Sequence, residues 1–285
     1  MKRVGLFVMA LFILAARPQN NERISIKNAI KNGLIQVEAT SLGGHSGEVI
    51  DVAVIPLAKK PFILFIPAGT HFIPGDEGDQ NIFVVNDQEE MIASSTRRIK
   101  VEGFCSESSD RSPSIGSGFK IIHSEEQKLI KLAEYMRSKN FSTDVTQSAV
   151  WAVSDHKPIS HIYQEGNQEQ VNELRTFISA LTGQPNVWYS TERNVEIRED
   201  RTIAATPVKV SGDIDYHVTR PGKMNAAVYK EDGTKLFSLG EGMQLPRSGD
   251  YSFFFNLTVK GWKNGIYQVK VFIDEEPIHA QAFEV

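Results

Sequence analysis

Short apolar runs fill the chain between residues 34 and 123, and Gly, Pro, Asn and Asp separate them. The runs are rich in Val, Ile and Phe, and some alternate apolar with polar positions, as in GEVIDVAVIPL and RRIKVEGFC. Runs of this kind, bounded by turn residues, predict short β-strands. Many short strands in succession are typical of a β-sandwich or a barrel.

Helical periodicity replaces this alternation after residue 123. The sequence SEEQ, residues 124–127, matches a capping box and predicts a helix start, and apolar residues recur at helical spacing behind it. A second helix is predicted over about 143–153 and a third over about 167–183. We therefore predict that residues 34–186 form an α+β domain, a β-sandwich or barrel with a helical subdomain.

Periodicity is lost over about 187–206, and we place a domain boundary there. Five or six apolar runs follow without a helical pattern, so residues 205–285 are predicted to form an all-β, immunoglobulin-like sandwich. Asp232-Gly233 lies between two apolar runs and predicts a hairpin turn, and Asn264-Gly265 predicts the opening of another strand.

The C-terminal sequence also carries a family resemblance. VYKEDGTKLFSL, followed by GWKNGIYQVKVFIDEEPIHAQAFEV, resembles the C-terminal immunoglobulin-like modules of bacterial secreted proteins. It is similar to those of the flagellar hook-cap type and, more loosely, to type IX secretion sorting domains. This resemblance implies a spacer, a docking module or a secretion signal.

The N-terminal sequence MKRVGLFVMALFILAARPQ has the pattern of a secretory signal peptide. Lys2 and Arg3 precede a short apolar run, and small residues follow it, so we predict a signal peptide over residues 1–16. The apolar run is short for a membrane span, and an uncleaved anchor is the weaker alternative. The expected location is secreted or at the cell surface, with no stable membrane span.

Composition narrows the classes of partner. The formal net charge is −4, and this mild acidity argues against nucleic acid, whose binders carry basic patches. The seven histidines lack metal-ligand spacing, so neither a metal nor a cofactor is expected. Asp76, Glu77 and Asp79 share one turn that offers oxygen ligands for calcium, but a solvated turn is the favoured interpretation.

Cys105 is the only cysteine, so a disulfide within the chain is excluded. Alternation along its strand places Cys105 on the face of Ile99 and Val101, with the thiol pointing inward to where the helices pack. Gln147 shares a helix face with Val150 and Trp151. A buried glutamine needs hydrogen bonds or a chemical role.

These residues resemble the thioester domains of bacterial surface adhesins. The resemblance rests on Phe104-Cys105 ending a strand, a Pro-containing loop, helices, and TQSAVW at residues 146–151. It implies an internal thioester, formed with release of ammonia, which an amine on another molecule attacks to give an amide. Cys105 would supply the thiol and Gln147 the acyl group. The resemblance implies Phe104, Thr146 and Trp151 as supporting residues.

Other interpretations of Cys105 stay open. It can be a small buried hydrophobic residue, with Gln147 in a capping or packing role, or it can form an intermolecular disulfide. A cysteine nucleophile paired with His123 or His156 lacks any recognised local signature. We predict a binding or adhesion protein rather than an enzyme, with a surface ligand or an envelope protein as partner. The alternative is a non-covalent structural component of the cell envelope, and a hydrolase without recognised motifs is a third class.

Overall fold

The computed structural model describes residues 22–137, 139–240 and 242–285. The signal peptide predicted over residues 1–16 lies outside this part of the chain. The elements before residue 187 are β1 (Arg23–Ser25), α1 (Ile26–Lys31), β2 (Ile35–Ser41), β3 (Ser46–Pro56), β4 (Phe62–Ile66), β5 (Thr70–Pro74), β6 (Ile82–Phe83), β7 (Gln88–Ile92), β8 (Arg97–Cys105), β9 (Phe119–His123), α2 (Gln127–Met136), α3 (Thr143–Ser154), a 3₁₀ helix (Ile159–His161) and α4 (Gln168–Thr182).

A six-stranded sheet with the order β2-β3-β8-β6-β5-β9 forms the centre of the N-terminal region. Its two edges almost meet: the Ser41 amide donates to the Ser117 carbonyl (2.9 Å) and the Gly116 amide to the Ser41 carbonyl (2.8 Å). A second sheet, β1-β4-β7, shares its core with this near-barrel. The prediction of a β-rich α+β fold is confirmed.

The helices form a second core beside the barrel, and their apolar faces are buried as their periodicity predicted. The capping box, however, is wrong. The buried Ser124 continues β9, because its amide donates to the Gly69 carbonyl (2.8 Å). Its hydroxyl accepts from the Glu126 amide (3.1 Å), and the α2 helix begins only at Gln127 with Glu126 as its cap residue.

The C-terminal region is all β. Its elements are β10 (Tyr189–Ile197), β11 (Ile203–Val218), β12 (Gly222–Lys230), β13 (Lys235–Ser238), β14 (Met243–Leu245), β15 (Gly249–Thr258), β16 (Ile266–Ile273) and β17 (Glu276–Glu284). One sheet has the order β10-β11-β15, and the other has the order β13-β12-β16-β17 with β14 added to β12. Both sheets contribute to a single core. Gly233, with φ +84°, lies in the predicted turn between β12 and β13.

The segment 187–206, where periodicity is lost, supplies β10 and the start of β11. Val187, Trp188 and Tyr189 pack into the C-terminal core, so this unit begins near residue 187, and Ala205 lies inside a strand. The alternation fails because the second half of β10 extends away from the core and is mostly exposed.

Two arginines attach this β10–β11 pair, which we name the bridging hairpin, to the N-terminal region. Arg175 on α4 is 3% exposed and donates to the Val187 carbonyl (2.5 Å), the Tyr189 carbonyl (2.9 Å) and the Ser190 hydroxyl (2.9 Å). At the hairpin turn, Arg201 pairs with Asp79 (2.9 Å) and donates to the Ser112 carbonyl (2.7 Å). The hairpin is therefore held at its base and at its tip.

Candidate functional site

The side chain of Gln147 clamps the backbone of Cys105. The Cys105 amide donates to Gln147 Oε1 (3.1 Å), and Gln147 Nε2 donates to the Cys105 carbonyl (2.8 Å). Cys105 is 0% exposed and Gln147 is 3% exposed. We name this reciprocal pair the amide clamp. It joins the last residue of β8 to the second turn of α3, so the structure brings the two predicted thioester residues together.

The start of α3 fixes the position of Gln147. The Ser142 hydroxyl accepts from the Val145 amide (3.3 Å) and so caps the helix. Thr146, one of the predicted supporting residues, donates its hydroxyl to the Ser142 carbonyl (3.0 Å). Because both interactions lie within one turn of Gln147, they hold its side chain toward the end of β8.

The thiol and Phe104 face different cores. Cys105 packs with Val101 and Ile99 in the core of the sheets, whereas Phe104 packs in the helical core. The prediction that the thiol points toward the helices is therefore wrong, and the physical reason is the alternation itself. The residue before Cys105 takes the helical side because successive side chains leave opposite faces of β8.

The environment keeps this thiol protonated. Burial raises the pKa of Cys105 well above its ordinary value, and the negative charge of Glu107 raises it further. Neither His123 nor His156 hydrogen-bonds to Cys105 within the described chain. This arrangement does not provide an activated cysteine nucleophile of the protease kind.

A polar cleft of about 480 Å³ opens beside the amide clamp. Its walls come from α3, from residues 161–165 and from residues 191–195 of β10, together with His45 from the turn between β2 and β3. Gln147 and Trp151 line it, and the ring of His45 stacks on that of Trp151 with centroids 5.8 Å apart. Gln147 thus belongs to both the clamp and the cleft wall, whereas Cys105 does not line the cleft.

The cleft contains polar groups that lack partners. Within the described residues, Trp151 Nε1, His161 Nδ1 and Thr191 Oγ1 are buried without a hydrogen bond. Burial lowers the pKa of His161 to about 3, and the nearby charges of Arg193 and Lys157 add to this, so its ring is neutral at pH 7. Burial also lowers the pKa of His45, against the opposing effect of Asp144.

Sequence reasoning missed His45, His161, Thr191 and Arg193 as cleft residues. They come from distant segments, and no local motif joins them. The acidic turn, in contrast, is engaged in ion pairs, since Asp76 and Asp79 both lie near Arg111 (3.1 and 3.4 Å). Across the described residues, no group of three or more His, Cys, Asp or Glu side chains is arranged to hold a metal ion.

Comparisons with known proteins assign no family. No protein-family model matches the sequence, and no curated protein matches it. Among solved structures, β-glucuronidase 2 of Bacteroides uniformis aligns over 34% of this chain and 12% of its own, with 16% identity and a TM-score of 0.23. The β-glucosidase of Kluyveromyces marxianus aligns over 83% of this chain and 45% of its own, with 10% identity and a TM-score of 0.22. Likenesses this small carry no argument about fold or function.

None of the helices in the described ranges combines the length and the apolar character needed to cross a membrane.

Proposed function

We propose that this protein is a secreted or surface-exposed binding protein, and that Cys105 and Gln147 are the precursor of an internal thioester through which it attaches to a target. The amide clamp carries this proposal, because it holds the Gln147 side chain against the backbone of Cys105 at one buried point. The thioester further requires the Cys105 thiol to turn from the core of the sheets toward Gln147 Cδ. The signal-like N-terminus supports an extracytoplasmic location. The two packed C-terminal sheets fit an immunoglobulin-like spacer or docking module.

Thioester formation needs only these two residues. Cys105 Sγ bonds to Gln147 Cδ, the bond from Cδ to Nε2 breaks, and the thiol proton leaves with the nitrogen as ammonia. The Cys105 amide already donates to Gln147 Oε1 (3.1 Å). That donor polarises the carbonyl and stabilises the negative charge that develops on its oxygen during the exchange.

Attachment to the target breaks the bond between Cys105 Sγ and Gln147 Cδ again. An amine nitrogen of the target bonds to Gln147 Cδ, the bond to Sγ breaks, and the thiol takes up the proton that the amine releases. The cleft offers the route, because Gln147 lines it. Burial protects the thioester from hydrolysis until a target enters.

Intact mass spectrometry of the purified native protein tests the proposal. We expect a mass lower than calculated by one ammonia, and incorporation of methylamine at residue 147 on incubation. Cys105→Ala should abolish both effects. Gln164→Ala, which changes a second glutamine of the cleft wall, is the matched control and should preserve both.

A different set of results would contradict the thioester. A native mass equal to the calculated one, no methylamine adduct, and a thiol that reacts with alkylating agents only after unfolding would make the clamp purely structural. One observation favours that second candidate, a non-covalent component of the envelope. Both polar atoms of the Gln147 amide are already satisfied by Cys105, so the clamp accounts for a buried glutamine without any reaction.

A further inference from the structure

Arg193 lies in the wall of the polar cleft without a partner. It is half-buried on β10, and among the described residues its side chain makes neither an ion pair nor a hydrogen bond. Two other cations of this region are engaged: Arg175 bonds to the hairpin base and Lys209 pairs with Glu192 (3.2 Å). A guanidinium held partly out of water without an acceptor is unfavourable, so this position suits a ligand that supplies one.

Two neighbours share this deficiency. Thr191, two residues before Arg193 on β10, also lines the cleft, is 2% exposed, and has no partner for its hydroxyl. His161, which is close enough for the charge of Arg193 to lower its pKa, has an unpartnered Nδ1. Together with Trp151 Nε1, four groups from three segments of the chain therefore lack hydrogen-bond partners in one cleft.

We propose that the polar cleft binds a carboxylate group, with Arg193 as its charged partner and Thr191 and His161 as neutral hydrogen-bonding neighbours. The guanidinium presents two parallel N–H groups that match the two oxygens of a carboxylate. Burial lowers the pKa of Arg193 to about 10, so the group remains a cation at neutral pH.

The rim of the cleft limits the charge of the ligand. Glu192 forms an ion pair with Lys209, and the negative charge of Glu165 also stabilises the Lys209 cation. Asp144 occupies the first turn of α3, where the helix dipole favours an acidic residue. These three carboxylates are therefore stabilised by groups other than Arg193. Their negative charges still repel a second negative charge on a ligand in the cleft. A singly charged carboxylate is favoured over a phosphate dianion or a polyanion.

This site does not depend on the thioester, because Cys105 does not line the cleft. It gives the protein a non-covalent way to hold a target beside Gln147. The carboxylate can belong to a sugar acid or to an acidic side chain of a partner protein, and both sources present the same group to Arg193.

Calorimetric titration of the full chain distinguishes these sources. The probes are glucuronate with glucose as its neutral match, and a blocked Gly-Glu-Gly peptide with Gly-Gln-Gly as its match. Binding of either acidic probe, but not of its neutral match, supports the site, and the stronger of the two identifies the source. Arg193→Gln should weaken binding roughly ten- to a hundred-fold, and Arg193→Lys by less.

The controls separate this inference from the proposed function. Arg198→Gln, at an exposed arginine just beyond β10, should leave the affinity unchanged. Absence of binding by both acidic probes, or equal binding to folded Arg193→Gln and to the native protein, would overturn the site. Neither result bears on the mass of the native protein, which tests the thioester alone.

Discussion

The N-terminal and C-terminal regions of the molecule bury different kinds of side chain. All but two of the buried polar side chains in the described chain lie before residue 187, the exceptions being Thr191 and Ser211. The C-terminal core instead gathers aromatic rings, such as Tyr189, Phe255 and Phe283. Buried polar groups destabilise a fold unless they find partners, so the N-terminal region depends more on its side-chain hydrogen bonds. The C-terminal core depends instead on apolar and aromatic packing.

The extent of the C-terminal unit offers the largest test of this contrast. We expect residues 187–285 to fold alone, and residues 205–285 to be less stable by several kcal/mol, on the order of the loss of one buried and one half-buried aromatic side chain. The shorter fragment lacks β10 together with Trp188, which donates to the Ala282 carbonyl (2.7 Å), and Tyr189. Urea unfolding followed by circular dichroism measures the difference, and equal midpoints would contradict it.

Removal of the buried arginine at the junction is the next largest effect. Arg175→Ala leaves two carbonyls and a hydroxyl of the hairpin base without their donor. We expect a loss of about 3 kcal/mol and separation of the thermal unfolding into two transitions, one for each region. Calorimetry checks both, with Arg97→Ala at an exposed position as control. A single transition at the native temperature would show that Arg175 does not couple the regions.

The amide clamp should contribute somewhat less. Gln147→Ala removes two buried hydrogen bonds and is expected to lower the free energy of unfolding by about 2 kcal/mol. Gln164→Ala, which removes one exposed bond to the Ser142 amide, should have little effect. Chemical denaturation of the two variants gives the comparison. Similar losses from both would mean that the clamp is not a special stabilising feature.

The sequence predicts the bounds of individual helices, but it does not predict the order of the strands in the sheets. Ser142 and Gly183 bound helices that the sequence predicts to within a residue or two, because caps and apolar stripes are local signals. The α1 helix was missed because six residues are too few to show periodicity. The strand order of the near-barrel pairs segments that are distant in the sequence, so no local sequence signal predicts it.

The candidate site was likewise predicted only in part. Cys105 and Gln147 were paired through a family resemblance, and alternation correctly placed the thiol with Ile99 and Val101. Alternation along one strand does not reveal which layer covers each face, so the side occupied by the helices was misassigned. The cleft around Arg193 was missed because β10 was not recognised as a strand.

Acidity should weaken the polar region through its buried histidines. His71 is 4% exposed, its Nε2 has no partner in the described chain, and burial lowers its pKa from 6.5 to about 4. The folded state then binds fewer protons than the unfolded chain, so stability is complete above pH 6.5 and falls as the pH drops toward 4. By pH 5 the loss from His71 alone is about 2 kcal/mol.

Urea unfolding at pH 7 and pH 5 measures this loss. His71→Phe, which keeps an aromatic ring against Phe83, should reduce the difference between the two pH values. His217→Phe changes an exposed ring and is the control. An unchanged pH dependence in His71→Phe would exclude this histidine as its source.

The smallest expected effect lies on the surface of the C-terminal region. Arg220 pairs with Asp274 (2.7 Å) and Glu276 (3.2 Å), and all three side chains are exposed. Arg220→Ala should change stability only slightly, and salt should remove most of that change. Unfolding at low and high ionic strength checks it, and a larger, salt-resistant loss would indicate a packing role for Arg220.

The bridging hairpin has a mechanical consequence. Arg175 holds its base and Arg201 its tip, and β10 between them has nine residues, which span about 30 Å. A single tether would let one half of the molecule swivel freely on the other. Two anchorages that far apart fix the direction of the hairpin, because a tilt about one of them would break the other.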